Sequence, residues 1–156
     1  MPDTTTSAQP TAVRPAGIDP RGPRFGAGVT AVLLVVVILL GSGPVAAAVL
    51  ALVAALFVVG VSRGVQGTVQ GAVFRRWVRP RLSPPAELED PRPPRFAQLV
   101  GLVMVGLGLL LAAAGVLDAI PVSAAVALLA AFLNAAFGFC LGCEVYLMLR
   151  RVRPAV

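Results

Sequence analysis

Three long stretches of this chain carry no charged residue, and they fix most of what it can become. Phe25–Ser62 runs for 38 residues, Phe96–Leu117 for 22 and Ala119–Cys143 for 25. A helix crosses the hydrocarbon core of a bilayer with roughly 20 apolar residues. Gly41-Ser42-Gly43-Pro44 divides the first stretch, because glycine and proline at that density mark a turn. Asp118 and Pro121 separate the other two. Four spans are expected, at about 25–41, 45–63 or longer, 96–115 and 121–149. Composition agrees: 13% of residues are charged, against about 25% in a soluble domain. So much apolar surface cannot hide in one small core, and a lipid bilayer is the expected surrounding.

Charge gives the expected orientation. All 13 cations are arginine, with no lysine and no histidine. Twelve fall before the first span, between the second and third, or after the fourth, and Arg63 lies toward the same side. The turns at 41–44 and 115–121 have none. Arginine-rich segments stay in the cytoplasm, so both termini are expected there. The net charge of +6 is thereby read as membrane topology and headgroup contact, with no nucleic acid implied. Arginine without lysine, with much Ala, Val, Gly and Pro, suits a GC-rich bacterial genome and hence a bacterial inner (plasma) membrane. Residues 1–18 are polar, lack the apolar segment of a signal peptide, and read as a disordered cytoplasmic tail.

The chain also repeats itself. Asp19-Pro20-Arg21-Gly22-Pro23-Arg24-Phe25 matches Asp90-Pro91-Arg92-Pro93-Pro94-Arg95-Phe96 at six of seven positions. Phe74-Arg75-Arg76-Trp77-Val78-Arg79-Pro80 resembles Leu149-Arg150-Arg151-Val152-Arg153-Pro154. The expected architecture is an all-α membrane protein, its four transmembrane helices forming two parallel-repeat helical hairpins in one domain, 19–154. Repeat one is 19–80, the proline-rich linker 81–89, and repeat two 90–154. Aligning Arg75 with Arg150 carries the second span toward Phe74 and puts Arg63, Gln66 and Gln70 on one stripe of a membrane helix. The alternative ends that span at Ser62 and makes the stripe a cytoplasmic amphipathic helix.

The only two cysteines, Cys140 and Cys143, are three residues apart, so on a helix they share a face. Glu144 follows Cys140 by four, and a carboxylate at membrane depth is a functional candidate. At the same alignment Arg63 matches Gly138 and would lie near the depth of Cys140, where a cation favours a thiolate. The candidate catalytic set is therefore Cys140, Cys143, Glu144 as proton acceptor, and Arg63. The GxxxG spacing of Gly138 and Gly142 reads as helix packing, and a buried cysteine often serves as a small hydrophobe.

Asp19-Pro20-Arg21, the Phe74 to Pro80 run, Pro91 to Phe96, and above all Asn134 to Glu144 resemble the bacterial membrane family called domain of unknown function 4395, over about 17–153. That family supplies no catalytic assignment. The resemblance implies a thiol or sulfur context, with a cytoplasmic thioredoxin-like or sulfurtransferase partner. The leading expectation is a membrane dithiol that exchanges electrons or sulfur with such a partner, with no cofactor. Two alternatives stay open: a non-enzymatic membrane scaffold, and a metal or cluster site completed by homo-oligomerisation, since two thiolates fall short of the four ligands zinc takes.

Overall fold

The computed structural model describes residues 17–152, so most of the N-terminal tail, together with Arg153 and Pro154 of the closing motif, lies outside the described residues. Every named element is helical. α1 (Arg21–Leu40), α2 (Pro44–Arg63), α4 (Arg92–Ala113) and α5 (Ala119–Phe137) are each long and apolar enough to cross a membrane. Two short helices follow the paired spans: α3 (Val69–Val73) after α2, and α6 (Leu141–Val152) after α5. The pattern is that of a multi-pass membrane protein, with side chains such as Leu39, Leu110 and Val32 exposed on the outside of the helices.

The Asp-Pro-Arg motifs start helices rather than precede them. Asp19 Oδ1 accepts from the Arg21 amide at 3.0 Å, and Asp90 Oδ1 from the Arg92 amide at 2.9 Å. Each carboxylate satisfies a backbone donor that a first helical turn leaves free. The Arg21 guanidinium also holds Asp19, at 2.9 Å, and keeps its carboxyl below the usual carboxylate range. The residues just before the two motifs pair with each other: Ile18 and Glu89 exchange both backbone hydrogen bonds, each 2.9 Å.

α1 packs chiefly on α5, and α2 on α4. The turns after α1 and α4 meet at one end, where Ser42 Oγ donates to Asp118 Oδ1 at 3.1 Å. The core sits toward that end. Leu34, Val37, Leu50, Val53, Val105 and Ile120 are completely or almost completely buried there. Gly108 lets the Ser123 side chain press against α4, because any Cβ would collide with it.

Two expectations need correction. α2 does not continue toward Phe74. It stops at Arg63, because Gly64 takes φ +75°, a backbone conformation that glycine accepts at no steric cost. Arg63, Gln66 and Gln70 therefore form no single helical stripe; the first two are exposed and Gln70 is buried. Nor does the fourth span run to 149. α5 ends at Phe137 and α6 is a separate helix.

Candidate functional site

The break between α5 and α6 builds the site. Gly138 adopts a left-handed conformation, φ +70°. Its amide donates to Asn134 O at 2.9 Å, and the Phe139 amide to Leu133 O at 3.3 Å. The Gly138 bond is that of the αL motif, in which a left-handed glycine closes the helix and satisfies one of its last carbonyls. Arg24 satisfies others: its guanidinium donates to Ala135 O at 3.4 Å and Ala136 O at 3.2 Å. Arg95, at the matching place in the second motif, does the same for α2 through Val61 O at 2.5 Å and Ser62 O at 3.2 Å.

The chain restarts at Cys140. Its carbonyl accepts the first helical bond of α6, from Glu144 N at 3.0 Å. Its sulfur accepts from the Cys143 amide at 3.4 Å. Cys140 is thus the N-cap of α6, and a sulfur stands where serine or aspartate usually supplies oxygen. Both cysteines are free thiols and half-buried, beyond the last residue of α5.

The electrostatics separate the two thiols. The hydrogen bond from the Cys143 thiol, supported by the amides of Cys143 and Gly142, lowers the Cys140 thiol to about 7, against burial and the nearby Glu89 carboxylate. The partial positive charge of a helix start acts in the same direction. Cys143 is pushed up, by its bond to Cys140, by burial and by the charges of Cys140, Glu89 and Glu144. One sulfur is set to be a thiolate near neutrality and the other to hold its proton.

A cavity of about 610 Å³ opens beside the pair, bounded by α1, α4, α5 and α6. Cys140, Cys143 and Glu144 all line it, together with Arg24, Glu89 and Asp90. Of the four candidate residues, the structure brings these three together. Arg63 is the exposed last residue of α2 and does not line the cavity. Arg24 is the cation beside the break, with its guanidinium carbon 3.6 Å from where a Gly138 Cβ would stand. Sequence reasoning missed it, although its place in a repeated motif was the available signal. Among the described residues no three Cys, Asp or Glu side chains gather to hold a metal ion.

The family described as "Domain of unknown function (DUF4395)" matches residues 18–151. No curated protein and no solved structure matches the chain.

Proposed function

The chain belongs to the DUF4395 family, whose description assigns no activity, and we propose that it is a membrane dithiol exchanging electrons with a cytoplasmic thioredoxin-like partner. The observation that carries this reading is the Cys140 sulfur capping α6 while half-open to a cavity. The Cys140 thiolate attacks the partner's disulfide; a mixed disulfide forms and one partner thiolate leaves. Cys143 gives its proton to the Glu144 carboxylate and attacks the Cys140 sulfur. The Cys140–Cys143 disulfide forms, the second partner thiolate leaves, and two electrons have passed to the partner. The α6 amides and the Cys143 thiol hold the thiolate in this scheme. Arg63→Leu tests the role first expected of Arg63, since a rise in the Cys140 pKa would return that role to it.

The same proposal treats residues 19–80 and 90–154 as two copies related by a rotation along the membrane normal. The mutual Ile18–Glu89 pairing, the matched capping by Arg24 and Arg95, and the interchange of α1 on α5 with α2 on α4 support it. With both turns at one end, the arginine-rich segments gather at the other, which the positive-inside rule makes cytoplasmic in a bacterial inner membrane.

Cys143→Ser keeps a hydrogen-bond donor but cannot resolve a mixed disulfide, so it should trap a covalent complex with a thioredoxin-like protein, lost on reduction. A Cys143→Ser protein that forms no reducible adduct, with wild-type thiols that resist oxidation in cells, would return the pair to helix packing. Reporter fusions within 83–89 and after Val156 should both read cytoplasmic.

A further inference from the structure

The cavity reaches well past the thiols. Thr30 lies nine residues into α1, about 14 Å along the helix. Met104 and Val126 line the cavity at comparable depth on α4 and α5. Its lining there is mostly apolar, with Phe57, Ala127 and Ala130 among the residues. At 610 Å³ it falls within the roughly 300–1,000 Å³ of ligand sites.

Three polar side chains interrupt this apolar lining, one from each helix: Thr30 on α1, Gln98 on α4 and Asn134 on α5. Thr30 is only 7% exposed. Among the described residues none of the three side chains is engaged in a side-chain hydrogen bond, and the Gln98 amide lies against Gly60 of α2. All three line the cavity, so their hydrogen-bonding atoms are free for a ligand's polar atoms. All three offer a donor, so the complementary ligand bears acceptor oxygens on an otherwise apolar body. A molecule reaching this depth from the bilayer must itself be lipophilic.

The thiols select among such molecules. Gly142, between the cysteines, lies so close to Ala97 of α4 that a Cβ would stand 2.6 Å from the Ala97 Cα. Gln98 is the next residue, turned toward Gly60 of α2, and it borders the same cavity as the dithiol. We propose that the cavity binds a lipophilic quinone, which oxidises the Cys140–Cys143 dithiol. This rests on the exchange reading above, whose steps are reversible; with the quinone as oxidant the exchange runs in reverse, from the partner's dithiol to the Cys140–Cys143 disulfide. Two S–H bonds break and one S–S bond forms; both electrons and both protons pass to the quinone oxygens, giving the hydroquinone. A dithiol-bearing partner then reduces the pair again by exchange, releasing its own disulfide. Electrons thus run from the cytoplasmic partner to the membrane pool.

The test uses the full chain, purified in detergent and reduced, with a decyl-tailed benzoquinone whose ring carries no hydrogen and so cannot be arylated by thiols. Quinone absorbance and maleimide-counted thiols are followed together. The expected result is loss of both thiols for each quinone reduced. Asn134→Leu should slow that reaction about fivefold, the worth of one hydrogen bond. Ala130→Phe, which fills the cavity, should slow it about tenfold relative to exchange with a soluble thioredoxin-type protein. Wild-type thiols that exchange with the soluble protein but ignore the quinone overturn this inference and leave the exchange reading standing. Quinone rates unchanged in both variants overturn the assigned cavity. Thiols inert to both reagents sink the two readings together.

Discussion

The segments that follow α2 and α5 start alike and are finished differently. Thr68 caps α3: its Oγ1 accepts from the Gly71 amide at 3.0 Å and donates to Val65 O at 2.8 Å. Cys140 caps α6 in the same i to i+3 relation through Cys143. The two caps, and the two amides they hold, are each 72 residues apart in the chain. Thr68 itself is buried, although Gly67 and Val69 beside it are exposed. Gln70, Gly71 and Phe74 are buried, and the neighbouring cavity measures only about 60 Å³. Around Cys140 the surroundings are open, and α6 contributes no buried residue. A hydroxyl in a closed cap does one job, because it does not titrate and nothing reaches it. A sulfur in an open cap still starts the helix, but it is ionisable near neutrality and faces space a second molecule can enter. One helix start is enclosed; the other presents an ionisable sulfur to a cavity.

The largest expected effect breaks this contrast outright. Cys140→Ser should abolish thiol exchange with a thioredoxin-type protein, while Thr68→Ser should leave the rate at the wild-type level. Loss of exchange in both variants would mean that either cap acts only through the fold. Stability should show the reverse order. Phe74 is 3% exposed, so Phe74→Ala should cost about 3 kcal/mol, whereas Leu147→Ala on the exposed α6 should cost under about 0.5 kcal/mol. Thermal unfolding in detergent measures both, and equal losses would contradict the assignment of a sealed and an open segment.

A third prediction concerns pH. Thiol alkylation follows the thiolate, so Cys140 labelling should be fast above about 7 and fall as the pH drops through that value. Cys143→Ala removes the strongest stabilising bond and should move the midpoint upward. A midpoint unmoved by that change would assign the stabilisation to the helix start alone. The smallest effect tests the glycines that end α2 and α5. Gly138 is left-handed helical, φ +70° and ψ 11°, so Gly138→Ala should cost about 1 kcal/mol; Gly64, at φ +75° and ψ 166°, lies where essentially only glycine goes, so Gly64→Ala should cost about 2 kcal/mol. Equal losses would show that the α2 break rearranges to accept a side chain.

The four spans were legible because uncharged length and turn residues are local signals; Gly41, Pro44 and Asp118 stand where the helices change direction. The break at Gly138 was not legible. Phe137 to Gly142 stays apolar, and hydropathy does not distinguish a glycine inside a helix from one that leaves it. Gly142 sits within α6 undisturbed, while Gly138 four residues earlier ends α5. That break also explains why aligning the motifs at a constant spacing matched Cys140 to Val65. The connection from Gly64 to Thr68 is two residues longer than that from Gly138 to Cys140. The thiols and Glu144 were visible as chemistry; their role at a helix start depended on a backbone angle that side-chain pattern does not encode. Arg24 was hidden for another reason, since its partners are carbonyls more than a hundred residues away.

The hydrogen bond between Ser42 and Asp118 has a mechanical consequence. It ties the two turns together beside the packed core, while the cavity occupies the opposite end of the same helices. A helix of twenty residues spans about 30 Å. At the far end the holds are of another kind, the Arg24 and Arg95 caps and the Ile18–Glu89 pairing. The bundle is thus pinned by packed side chains at one end and by hydrogen bonds at the other, and widening the cavity would strain hydrogen bonds before it strained the core.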